Sequence, residues 1–133
     1  MTREKLIELR ITDVRYRFNI DGNLTRLSFG FSDGSVSPKE GTYFQEPTLV
    51  QPISDHIKKL RFATSKTGAD VFPCQIALFD RKNAELLNLQ MGVKEVEATY
   101  KVTLEDTEHI VAAKIEVGKY YPINIHFLLF QHI

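Results

Sequence analysis

The side chains whose type and grouping could serve catalysis or metal binding are the four histidines His56, His109, His126 and His132, the single Cys74, and the acid cluster Glu105, Asp106 and Glu108. A zinc site needs three or four ligands converging at about 2 Å, commonly with a close local pair among them. No two histidines here have that local spacing. His126 and His132 share one face of a regular strand but lie roughly 20 Å apart along it, too far for one metal. Cys74 would need a lowered pKa to act as a nucleophile. Its setting, Val71-Phe72-Pro73-Cys74-Gln75-Ile76, is the start of an apolar strand and points to a buried, inert thiol. Paired acids can do acid–base or glycosidic chemistry when one is desolvated. Glu105, Asp106 and Glu108 fall in a turn between strands, where acids are solvated, and their spacing is not that of an EF-hand loop. No catalytic motif emerges, and the chain is read as not an enzyme, with no cofactor and no metal.

Two further groups suit recognition. Arg15 and Arg17 share a face of an extended strand near Arg10, and Arg26 falls across the following turn. Such a stripe could meet an acidic partner, or serve as a solvated face whose Arg stems cover apolar surface. The loop Gly118-Lys119-Tyr120-Tyr121-Pro122 carries two tyrosines and a lysine at the mouth of a hairpin. An exposed Tyr offers an apolar ring with a polar tip, suited to stacking on a sugar or anchoring a protein contact. The alternative for Tyr121 is that it packs into the body of the protein.

The elements that must position these residues read as strands. Val111, Ala113, Ile115 and Val117 alternate with small or polar residues, the period of a half-buried strand. Ile123, Ile125, Phe127 and Leu129 follow, with His126, Leu128 and Phe130 between them also bulky. That predicts an inner strand covered on both faces, because a two-faced strand is unstable at an open edge. At the other end Ile7, Leu9 and Ile11 are in one phase and Val14, Tyr16, Phe18 and Ile20 in the other. A bulge or break belongs at Thr12-Asp13. Asp21-Gly22-Asn23, Ser32-Asp33-Gly34-Ser35 and Asp80-Arg81-Lys82-Asn83 are turn signals between alternating runs. Ser37 to Pro52 reads as a loop-rich crossing with Tyr43-Phe44 and Leu49-Val50 as its apolar mass. Ile57–Phe62 reads as a strand, Thr64–Asp70 as a polar loop, and Val96–Leu104 has the cleanest alternation of all. Ten or more short strands without helix caps predict one all-β domain over residues 1–133 with little or no helix.

Composition narrows the class. The 133 residues are 43% hydrophobic and 26% charged, ordinary for a globular domain. Seventeen basic residues balance seventeen acidic ones, which gives no general attraction to nucleic acid or anionic membrane. A single cysteine excludes an internal disulfide and favours a reducing, intracellular compartment. Met1–Arg10 has no apolar core of the signal-peptide kind, and no apolar run reaches the length of a membrane span, so a soluble protein is expected.

Three stretches resemble the jacalin-related, β-prism lectins. The hairpin Val14–Phe31 with Phe31-Ser32-Asp33-Gly34 is similar to that family's opening strand pair and its aromatic-x-Asp-Gly turn. Ile76-Ala77-Leu78-Phe79-Asp80 to Leu87 resembles its central hairpin. Glu108–Lys114 and Ile123–Phe127 resemble the strands around its final loop. The resemblance implies three four-stranded sheets about a prism axis, with sugar bound at one end through a Gly-x-x-x-Asp loop. Here that loop begins at Gly118, but Pro122 stands at the Asp position and Asn124, the nearest substitute, is two residues further on. The family's glycine-rich sugar loop is missing too.

The expectation is a β-prism-like domain, with a jelly-roll or other β-sandwich as alternative. Its expected role is a non-catalytic recognition module that docks onto a protein partner or larger assembly, with a carbohydrate-binding lectin as the rival. The expected ligand-binding residues are Gly118, Lys119, Tyr120, Tyr121 and Asn124. A homo-oligomer is compatible with this reading; nucleic acid and membrane insertion are not expected.

Overall fold

The computed structural model describes residues 2–38, 49–68, 70–91, 95–118 and 121–132. Among them are ten strands and one short helix: α1 (Arg3–Glu8), β1 (Ile11–Phe18), β2 (Leu24–Phe31), β3 (Val36–Ser37), β4 (Leu49–Pro52), β5 (Lys59–Thr67), β6 (Asp70–Phe79), β7 (Glu85–Gln90), β8 (Ala98–Thr103), β9 (Glu108–Val117) and β10 (Pro122–Gln131). The protein is all-β, as the alternation predicts. Tyr43-Phe44 and most of the predicted crossing lie outside the described residues.

All pairings are antiparallel, and they fall into three sheets with orders β3-β2-β1-β4, β7-β6-β5-β8 and β10-β9. The two four-stranded sheets share one topology. In each, two hairpins place the first three strands side by side, and the fourth returns to lie beside the first, which is a Greek key. The strands β9 and β10 form a third antiparallel hairpin of their own.

The hairpin turns share a device as well. Asn19 Oδ1 accepts hydrogen bonds from the N–H groups of Asp21 and Asn23, both at 3.0 Å. Asp80 Oδ1 accepts in the same way from Lys82 and Ala84, both at 2.9 Å. The fourth residue of each turn has a positive φ, 82° at Gly22 and 64° at Asn83, where Gly or Asn is tolerated. The Phe31–Ser35 turn closes with the same backbone bonds, Gly34 at φ 87°.

The core is one cluster that draws on all three sheets. Phe29, Phe62, Leu24, Ile76, Leu78 and Val14 have essentially no exposed side-chain surface, and Ile110, Ala113 and Ile125 join them from the terminal hairpin. The predicted bulge in β1 is present as a register shift between Ile11 and Asp13. A second bulge falls at Cys74, beside Pro73, which has no N–H to give to the ladder. Cys74 is buried, and its carbonyl accepts from Met91 N–H at 2.9 Å.

Three expectations are corrected. Residues Arg3–Glu8 are helical, because Thr2 acts as N-cap, its Oγ1 accepting from Lys5 N–H at 3.3 Å, with Glu4 in the first turn. The chain becomes extended only from Leu9. Thr64–Thr67 are part of β5, pairing with Asp70–Pro73, so Thr64 and Ser65 are buried polar residues in a hairpin whose turn holds Gly68 at φ 62°. Finally, the cover expected on both faces of β10 is not found: among the described residues it pairs with β9 alone, and Leu128 is 62% exposed, so one face of it meets solvent.

Candidate functional site

The terminal hairpin β9–β10 presents its loop through a closing hydrogen bond from Gly118 N–H to Tyr121 C=O at 2.9 Å. A Cβ at Gly118 would lie 3.0 Å from Ile123 Cγ2, so the loop is packed tightly at its base. Tyr121 is half-buried, its ring 4.7 Å from that of Phe72 at the start of β6. That is the packing alternative for Tyr121, and it ties the loop to the neighbouring sheet. Pro122 is fully buried. Asn124 turns its Oδ1 to the N–H of Ile125 at 2.8 Å. Gly118, Tyr121 and Asn124 are thus each engaged within the fold. Lys119 and Tyr120 lie outside the described residues.

A second polar site forms at the β8–β9 turn, and sequence spacing did not reveal it. Leu9, Arg10, His56, Ile57, Lys58, Arg81, Leu104, Glu105, Asp106, Glu108 and His109 enclose a cavity of about 30 Å³. That volume holds about one water molecule. Its polar atoms largely satisfy one another. Glu108 accepts from Glu105 N–H at 2.7 Å, Lys58 pairs with Asp106 at 3.1 Å, and Arg10 Nη1 donates to Ile53 C=O at 3.5 Å. Gln131 donates to both Glu105 and Thr107. The three acids thus hold the turn and its neighbours.

Beside this cavity the hairpin brings His109 and His132 together, Nε2 to Nδ1 at 2.6 Å, with the rings stacked at 4.7 Å. At that distance one nitrogen carries a hydrogen and the other accepts it. Desolvation, then the neighbouring His132, His56 and Arg81, hold the pKa of His109 below its ordinary value. Desolvation, then Arg81 and Arg10, lower that of His56. The signal for the pair was available: folding the hairpin about its loop sets His109 opposite Phe130, two residues from His132. His126 lies elsewhere, 3.3 Å from Glu116 on the exposed face. Among the described residues no three His, Cys, Asp or Glu side chains are grouped to hold a metal.

The arginine stripe is partly neutralised. Arg15 Nε donates to Asp13 at 2.9 Å, and Arg17 stands directly opposite Arg26 on the paired strand. The room for Asp13 comes from Gly30, where a Cβ would lie 2.7 Å from the Asp13 Cγ. A hollow of about 390 Å³, open to solvent, lies beside Lys66, Gly68 and Glu95–Glu97. No described helix is long and apolar enough to cross a membrane. Compared with known proteins, the chain matches no family model and no curated protein sequence.

Proposed function

We propose that the protein is a non-catalytic recognition module that docks onto a protein partner through its sheet margins. The observation that carries this reading is the distribution of exposed apolar side chains. Leu49 and Val50 on β4, Tyr100 on β8 and Leu128 on β10 are each 42% to 62% exposed. Among the described residues β4, β8 and β10 each lie at the margin of a different sheet, where broad contact is feasible and no deep cavity is needed. The recurring Greek-key order, with a third unit begun by β9 and β10, supports a β-prism-like arrangement related to the jacalin lectins.

The lectin reading draws on that same likeness. Against it stand Pro122 at the Asp position and Asn124, whose side-chain oxygen is occupied by Ile125 N–H. A glycan array separates the two. The docking reading expects no sugar bound on the array. It also expects Tyr100→Ala to weaken partner capture from the native source about tenfold, the loss typical of a well-placed aromatic anchor. A sugar signal abolished by Tyr120→Ala or Asn124→Ala would replace docking with carbohydrate binding.

A further inference from the structure

We infer that β10 is a self-association edge, at which a second copy of this chain adds its own β10 antiparallel to form a four-stranded sheet, β9-β10 and then the partner's β10 and β9. The inference does not rest on the docking reading above.

Backbone geometry gives the direction. Ser37 Oγ accepts from Ala113 N–H and donates to Ala113 C=O, both at 2.9 Å. The Ala113 groups therefore face away from β10, and the edge of β9 is closed there by β3. In an antiparallel pair, directly opposed residues turn their groups the same way, both toward each other or both outward. Ala113 is opposite Phe127, so Phe127 N–H and C=O face outward from β10. Ile125, two residues earlier, agrees: its N–H is taken by the side chain of Asn124 rather than by β9. Among the described residues no backbone hydrogen bond reaches this outer edge from another strand.

Topology and composition supply the occupant. In both four-stranded sheets the strand equivalent to β10 has a further strand on this side, β3 beside β2 and β7 beside β6. Edge strands are ordinarily protected by charge, proline or brevity. Here β3 has two residues, β4 is short and ends in Pro52, β7 carries Glu85 and β8 carries Lys101. β10 is ten residues long, PINIHFLLFQ, with no Asp, Glu, Lys or Arg and a proline only at its first position. It opposes its own copy without repulsion, and the chain has no net charge to keep two copies apart. Pairing two copies gives the terminal sheet the four strands the other sheets have. With the two-fold axis at Phe127, the outward groups of Phe127 meet those of the partner copy, an isologous contact.

The test is sedimentation equilibrium of the full chain from micromolar to millimolar concentration, together with amide hydrogen exchange. The expected result is a monomer–dimer equilibrium in which Phe127 N–H becomes protected as concentration rises. Leu128→Lys, at a position exposed enough to leave the fold intact, is expected to halve the mass at high concentration, while Tyr100→Lys on β8 leaves the dimer unchanged. Asn124→Ala frees Ile125 N–H in both copies and is expected to tighten association roughly twenty-five-fold, the value of one recovered hydrogen bond from each copy. A chain that stays monomeric with Phe127 exchanging freely overturns the inference and leaves the edge to a strand of a different protein. A dimer that survives Leu128→Lys and is lost in Tyr100→Lys also overturns it.

Discussion

Asp80 shows how much a single side chain can organise. Its carboxylate is buried at the β6–β7 turn and accepts two backbone N–H groups that have no other partner in the turn. A hydrogen bond to a charged group contributes about 1.5–3 kcal/mol, and because Lys82 and Ala84 are exposed their freed N–H groups can turn to water, which keeps the loss at the low end for two bonds. Asp80→Ala should therefore lower unfolding stability by about 2 kcal/mol, read as a reduced urea midpoint at unchanged slope. Asp80→Asn, which keeps an accepting oxygen as Asn19 does in its own turn, should recover most of the loss. The histidines at the β8–β9 turn give a pH prediction. His56 and His109 both resist protonation in the folded state relative to the ordinary value of 6.5. The unfolded chain then binds more protons as pH falls through about 6.5, so stability is full above that pH and declines below it toward the folded pKa values. Urea midpoints should fall between pH 7.5 and pH 5.5, a window set by that ordinary value of 6.5. His56→Gln and His109→Gln should each flatten the decline.

Among the elements, β2 and β10 are the informative pair. Phe29 in β2 is fully buried and meets Phe127 of β10 edge to face, ring centres 5.6 Å apart. Phe29→Ala should cost about 3–5 kcal/mol, as for a large aromatic removed from a packed core. Phe127 is only half-buried, so Phe127→Ala should cost roughly half as much, and the two variants compared by chemical denaturation measure how peripheral the terminal hairpin is. Alternation in the sequence found nearly every strand, since the period of two is a direct product of pleating. It could not tell how deeply each strand lies. Val96–Leu104 alternates most cleanly, yet in β8 Tyr100 is 42% exposed although it stands opposite fully buried Phe62. Only the position of β8 at the sheet margin explains that, and position is a property of topology. Bulk on both faces of β10 likewise indicated cover without saying where the cover comes from. The helix at Arg3–Glu8 was missed because Leu6, Ile7 and Leu9 fit either period over so short a stretch. The candidate loop residues were legible as residue types, whereas the use of the Asn124 and Tyr121 side chains inside the fold depends on contacts that only folding creates.

For the whole molecule, the shared core ties the three sheets into one unit of stability. Cys74 sits inside it, 6% exposed and locked into a bulge. A buried thiol of this kind reacts with a disulfide reagent only when the surrounding structure opens. Its labelling rate in the folded protein should match that expected for global unfolding, and added urea should raise it in step with the equilibrium curve. Fast labelling in water would indicate that the β5–β8 sheet opens separately from the rest.

The two Greek keys also impose an order in time. The pairs β1–β2, β2–β3, β5–β6, β6–β7 and β9–β10 each join neighbours in the chain across a short turn, whereas β4 and β8 must travel back past two intervening strands to reach β1 and β5. Closing a short loop costs less entropy than closing a long one, and contacts distant in sequence form more slowly. These hairpins should therefore acquire protection from exchange first during refolding, with β4, β8 and the Ser37–Ala113 clasp sealing the structure afterwards. Pulse-labelled amides of Arg61 and Ala77 would then be protected before those of Val102 and Gln51, whose N–H groups face β5 and β1.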